Sequence, residues 1–311
     1  MTECERLIAN GTFSAEFFKE ETRCGFLVTT ERKKIWAIEL DLLKKFDSVC
    51  QRHGLCYFAF VGTLLGAIRH DGFIPWDDDI DLAMPRDDYE KMLALGKEFE
   101  YPYFLQTPWS DKDYYYSFAK LRNSLTSFVS KNFLYADFNQ GIHLDFHPID
   151  IWHPDENGEE VYAKISQLAY DNSTYMRMKN PYLNDEDKQR IKNYKGIDPL
   201  LACEKMRALG MTWHGQKSQY VCRNTMVVYG YRRNLFLAED FDGTLNWNFE
   251  GATIPVPVGY DRILRTIYGD YMKLPPMEKR GTWHQGSIVS PDIPWQQMVM
   301  LARSAEKENT R

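Results

Sequence analysis

One stretch, Leu55–Leu82, narrows the folds open to this chain more than any other: LCYFAFVGTLLGAIRHDGFIPWDDDIDL. It opens with an apolar run of strand length, Leu55–Val61, turns at Gly62-Thr63 and continues as a short helical pattern over Thr63–Arg69. A Gly/Pro loop then leads into a second strand, Asp79–Ala83. Successive strand side chains point to opposite faces, so Asp79 and Asp81 share one face while Ile80 and Leu82 point into the core. A strand, a helix and an acid-bearing strand in such short order predict an α/β (α+β) fold.

The same stretch carries chemistry. Glycine at a strand-to-helix turn lets backbone N–H groups approach a phosphate, which makes Gly62 and Thr63 candidates for a phosphate cradle. Mg²⁺ takes one or two carboxylates plus substrate phosphate oxygens, and two aspartates on one strand face provide them. Asp79 and Asp81 are therefore the expected metal pair, with Asp77 and Asp78 secondary. A lone Asp-x-Asp is common by accident. Here a third acid follows on a later strand, Ile142–Phe146, where Ile142, Leu144 and Phe146 alternate with His143, Asp145 and His147. Asp145 could hold metal or accept a proton from an attacking hydroxyl.

His143 and His147 read either as site-lining residues or as the wet side of a sheet, because no further ligand at zinc spacing accompanies them. Arg69, Lys120 and Arg122 are candidate phosphate partners, Arg as a bidentate fork and Lys as a point charge. Trp76, in the loop before the aspartates, could face a trimethylammonium group through cation–π attraction, against a plain packing role.

Around this segment the pattern predicts a helix over Glu31–Cys50 closed by Gly54, and a helix over Asp87–Gly96 opened by Asp87 or Asp88. Strands are expected at Tyr114–Arg122 and Ser124–Val129. Residues 1–30 read as an N-terminal leader, 31–150 as a catalytic core and 151–240 as a mainly helical module. The chain then returns to the core over 241–285, with strand-like Thr253–Val258 and a helix at Tyr260–Tyr268. Residues 286–311 read as a polar, frayed tail.

The formal net charge of −6 argues against nucleic acid as a partner. The six cysteines include no CxxC pair, which disfavours a zinc knuckle and suits free thiols in a reducing compartment. No signal peptide and no apolar run of membrane-spanning length is apparent, so a cytoplasmic location is expected, with any membrane-bound substrate met peripherally.

The segment GTLLGAIRHDGFIPWDDDIDLAMPRDDYEKM resembles the signature of LicD-type phosphocholine transferases, a branch of the nucleotidyltransferase-fold superfamily related to the fukutin-related proteins. The likeness continues through FAKLRNSLTSF, LDFHPID and FEGATIPVPVGYDRILRTIYGDYMKLPP, spanning roughly residues 31–285. His147 departs from the family pattern, which more often has an aromatic or aliphatic residue there, and the cysteine-rich zinc element of the animal relatives is missing. The resemblance implies a mixed sheet flanked by helices. It also implies transfer of phosphocholine, or a related phospho-alcohol, from a CDP-linked donor to a sugar hydroxyl, releasing CMP. The acceptor would be a glycan or lipid-linked glycan of the cell surface, such as a teichoic acid or lipopolysaccharide precursor. Mg²⁺, with Mn²⁺ as the alternative, would sit on Asp79, Asp81 and Asp145. An NTP-using nucleotidyltransferase that releases pyrophosphate, a nucleotide-sugar glycosyltransferase and an inactive nucleotide- or glycan-binding protein are the alternatives.

Overall fold

A computed structural model describes residues 2–183, 185–192, 196–225, 229–281 and 287–309. The segment read as a leader folds onto the core. Helix α1 (Glu3–Ala9) starts at a capping box between Thr2 and Glu5, and the hairpin β1 (Glu21–Arg23) and β2 (Phe26–Val28) follows. Leu7, Phe18 and Val28 are buried with the main core. Arg23 forms an ion pair with Glu250, far along the chain.

Helix α2 (Thr30–His53) runs one residue further than predicted at its start and three at its end. Thr29 caps its N-terminus and Gly54, at φ 62°, closes it in the left-handed conformation glycine tolerates. Its apolar stripe, including Trp36, Leu42, Phe46 and Val49, is fully buried. Each such side chain contributes about 1.5–3 kcal/mol on leaving water.

The predicted strand over Leu55–Val61 shortens to β3 (Phe58–Ala59), because Val61 already begins helix α3 (Val61–His70) at a positive φ of 44°. Strand β4 (Ile80–Pro85) follows, then α4 (Arg86–Leu93). Neither Asp87 nor Asp88 caps α4: Pro85 holds the cap position, and Asp88 instead accepts the Cys56 backbone N–H at 2.9 Å.

Next come β5 (Tyr103–Gln106), absent from the pattern reading, β6 (Ala119–Asn123) and β7 (Ser127–Ser130). Tyr114 and Tyr116, placed on a strand by their β-rich sequence, lie outside it. They pack with Phe133 and Phe138 in a separate aromatic cluster. Strand β8 (Ile142–Trp152) is more than twice as long as predicted.

The segment 151–240 holds α5 (Glu156–Arg177), α6 (Asp185–Lys192) and α7 (Pro199–Gly210), and also β9 (Tyr220–Cys222) and β10 (Leu235–Leu237). These two strands extend the main sheet, whose order is β10-β9-β8-β4-β3, with β6 and β5 on the other flank of β8. The sheet is mixed: β4 runs parallel to β8, while β3, β6 and β9 pair antiparallel with their neighbours.

The hairpin β11 (Thr244–Phe249) and β12 (Ala252–Pro257) and helix α8 (Tyr260–Tyr268) then return to the core. The C-terminal segment is not frayed. Strand β13 (Ser287–Ser290) pairs with β7, and α9 (Trp295–Asn309) is held by Arg303 donating to the Leu134 carbonyl.

Candidate active site

The site begins with strand register. Asp145 on β8 lies beside Asp81 on β4 and beside Lys120 on β6, so the three form one row across three strands. Ile80, Leu82, Leu144 and Phe146 point to the opposite face and are completely buried, Phe146 against Phe46 of α2. Pleat alternation thus divides each strand into an apolar face packed on a helix and a charged face directed at the site.

Asp81, Asp145 and His147 each offer a ligand atom, and these atoms lie within 4.8 Å of one another. The His147 ring is buried against Phe118, and its Nδ1 lies 2.8 Å from Thr225 Oγ1. Among the described residues its Nε2 has no hydrogen-bond partner, and it sits 3.7 Å from Asp81 Oδ1. An orphaned imidazole nitrogen beside two carboxylates is a donor set that fits a divalent cation. His147, the residue that departs from the family pattern, therefore joins this cluster. His143 Nε2 stands 3.5 Å from Asp145, and its Nδ1 contacts Arg122 at 3.1 Å.

Asp79 precedes β4 at the end of the loop from α3. Packing builds that loop tightly. Arg32 and Trp36 of α2 both donate to the Asp77 carbonyl, at 2.7 and 3.0 Å. A Cβ on Gly62 would come within 2.9 Å of the Asp77 carboxylate, and one on Gly66 within 2.4 Å of the Gly72 carbonyl. Glycine at both positions lets α3 lie directly against the acidic loop. Thr63 is buried, and its hydroxyl accepts the Asp81 N–H at 2.8 Å, so it braces the acidic strand.

The aspartates are electrostatically unequal. Burial and the neighbouring charges of Asp77 and Asp81 push Asp79 well above the usual carboxylate range. Burial acts on Asp81 too, but His147, Arg223 and Lys120 outweigh it and hold Asp81 low. Carboxylates this close cannot all ionise without a cation among them.

A cleft of about 620 Å³ opens on Asp77, Asp79 and Asp81. Of the residues expected from sequence, Gly62, Arg69 and Trp76 also line it, whereas Thr63, Lys120, Arg122, His143, Asp145 and His147 do not. Lys120 instead bonds both oxygens of Asp145, at 2.6 and 2.8 Å, and burial lowers its pKa. Arg122 is spent on Gln106 and on the Gly141 carbonyl. Arg69 donates to the Tyr271 carbonyl at 2.6 Å. Trp76 packs edge-on to Phe26, and the Arg280 guanidinium lies 5.0 Å over its ring, so a resident cation already covers the indole.

Sequence reading missed several residues. Glu39 of α2 is completely buried without a hydrogen-bond partner among the described residues, and burial with the charges of Asp78 and Asp77 raises its pKa well above normal. Its place on the apolar stripe was the available signal. Arg223 is completely buried between the Phe60 and Tyr229 rings, and its Nη1 has no partner among the described residues. Nothing in its local sequence announces this. Tyr229, Tyr268 and the segment Asp270–Gly281 complete the cleft wall.

Residues 54–167 match the family described as LicD/FKTN/FKRP, nucleotidyltransferase domain, which brackets β4, β6, β8 and their acidic row. This segment is a LicD-family domain. The chain is also 25% identical over 260 residues to the lipopolysaccharide cholinephosphotransferase LicD of Haemophilus influenzae, covering 79% of this chain and 92% of that protein. An uncharacterized protein of Rickettsia prowazekii, RP689, is 36% identical over 59 residues, 19% of this chain and 22% of that one. The LicD-family match thus covers the acid-bearing strands, while the Haemophilus similarity extends over most of the chain. Among the described residues, no helix is long and apolar enough to cross a membrane.

Proposed function

We propose that this chain is a cholinephosphotransferase that moves phosphocholine, or a related phospho-alcohol, from a CDP-linked donor to a sugar hydroxyl of a lipopolysaccharide-type or other cell-surface glycan. The observation that carries the reading is the cluster of Asp81, Asp145 and the buried Nε2 of His147, which meets a cleft of about 620 Å³ through Asp81. That volume suits a nucleotide-sized ligand. The relation to the Haemophilus lipopolysaccharide cholinephosphotransferase supports the transferred group and the acceptor class.

Asp79, Asp81 and Asp145, joined by His147, would hold a divalent cation, Mg²⁺ or Mn²⁺. When bound, it supplies charge neutralisation for the donor diphosphate. The chain's own groups do the rest. The hydroxyl of Thr63 fixes the Asp81 backbone, and Lys120 orients Asp145 through both oxygens. Gly62, with no side chain, lets α3 lie directly against the acidic loop at Asp77. Catalysis of this kind is mostly positioning and electrostatics.

The test is metal-dependent CMP release from CDP-choline, CDP-ethanolamine, CDP-glycerol and CDP-ribitol with a glycan acceptor. Asp81→Asn and Asp145→Asn are expected to lower turnover by about 10²–10³ or more. Full activity in both variants, or pyrophosphate from an NTP in place of CMP, would overturn the reading.

A further inference from the structure

The cleft has an electrostatic problem that the acidic row does not solve. Asp77, Asp79, Asp81 and Asp270 all line it, and a nucleotide donor brings phosphate charge into the same space. The basic residues closest in strand register, Lys120 and Arg122, are bonded to Asp145, Gln106 and the Gly141 carbonyl and do not line the cleft. Arg69 does line it, but its guanidinium is half-buried and donates to Tyr271 and toward His70.

Among the described residues, two other cations line the cleft, Lys273 and Lys279. Both are exposed. Their charge therefore carries little desolvation cost. They flank Leu274-Pro275-Pro276 on a segment that is pinned along its length. Tyr271 donates to Asp261 at 2.7 Å and its carbonyl receives Arg69. Arg280 donates to the carbonyls of Pro275 and Cys24, at 2.8 and 2.6 Å, while lying over Trp76. A fixed backbone between paired prolines sets where both lysines start from, so less chain entropy is lost when a ligand recruits them.

We propose that Lys273 and Lys279 are the diphosphate-binding cations of this cleft, closing on the donor from the wall formed by Asp270–Gly281. The assignment rests on the CDP-donor reading above. It moves the cationic phosphate grip from Arg69, Lys120 and Arg122, where sequence places it, to the segment that carries Lys273 and Lys279.

The experiment is calorimetric titration of the full chain with CDP, and separately with CMP, in excess MgCl₂. Each Lys→Ala change is expected to weaken CDP binding about tenfold, as for loss of one charge-assisted contact to phosphate. The double variant should lose more, CMP should be affected less than CDP, and the salt dependence of CDP binding should flatten. Lys273→Arg with Lys279→Arg retains both charges and should keep most of the affinity. Because both side chains are exposed, thermal midpoints should stay near wild type. Wild-type protein that binds CDP while the double Ala variant binds it equally overturns this assignment alone, as does an equal loss for CMP. Wild-type protein that binds no CDP overturns the donor reading and this assignment with it.

Discussion

At the scale of single residues, the site depends on which charges have partners. Glu39 shows the cost of having none. Its carboxyl is buried beside the acidic loop and has no hydrogen-bond partner among the described residues, so the folded state favours its protonated form. A carboxyl with a raised folded-state pKa keeps a proton that the unfolded chain has released. Stability is then unaffected well below the ordinary value of 4.5 and falls as pH climbs from there toward the folded-state value. Glu39→Gln cannot ionise and should flatten this fall. Urea midpoints at pH 5 and pH 8 check it: the loss between the two should be smaller in the variant. An identical loss would mean that Glu39 does not titrate in this range. Asp79, raised for the same reasons, should keep part of the slope in place.

The alternation of acid and apolar residues in DDDID and IHLDFH was readable at this scale, because a strand's period of two needs no tertiary information. Partners were not readable. Lys120 faces Asp145 only because β6 pairs with β8 in that register. Arg223, which helps hold Asp81 charged, reaches it from a different strand region altogether.

At the scale of elements, α3 and the loop after it position the acids. The helix lies so close to its own following loop that only glycine fits at Gly66. Gly66→Ala sets a methyl against the Gly72 backbone carbonyl, which cannot rotate away as a side chain would. Overpacking of this kind costs about 1–3 kcal/mol. The variant should show that loss in urea unfolding and a reduced metal-dependent turnover, because displacement of the loop displaces Asp79. Unchanged stability and rate would show that the loop is not held by this contact. Helices α2 and α8 and the body of α3 were legible from local pattern, but the start of α3 was placed two residues late. Strand β3 and α4 were misjudged at their edges, since the last residues of an apolar run can turn into a helix, and an acidic side chain can cap another segment's backbone instead of its own helix.

At the scale of the whole molecule, the segment 151–240 is bound into the core by more than covalent linkage. Asn224, from that segment, donates to Asp150 on β8 at 2.6 Å, and Glu90 of α4 binds Arg207 of α7. Strands β9 and β10 continue the main sheet. The cleft itself draws its walls from Val61 to Gly281, so it exists only when these parts have come together. Its donor set predicts a metal preference. Two carboxylates suit Mg²⁺, but an imidazole nitrogen favours a transition ion such as Mn²⁺. Thermal melts of the full chain with CDP should rise with either metal, by about 2.7 kcal/mol of added stability at a hundredfold excess over Kd. Mn²⁺ should act at lower concentration than Mg²⁺, and His147→Asn should erase that difference. A preference that survives His147→Asn would remove the imidazole from the metal's neighbourhood.

The two faces of β4 and β8 follow from local periodicity, and with the succession of Gly62-Thr63, Asp79, Asp81 and Asp145 they are what the sequence by itself determined. Which cations are spent and which remain available was decided by the tertiary structure. Lys120 and Arg122 are close in sequence to the acid strands, yet register and burial commit them to Asp145, Gln106 and Gly141. Lys273 and Lys279 are remote in sequence, yet chain closure sets them on the wall of the cleft. Desolvation and charge pairing depend on distance in space, and only folding establishes that distance.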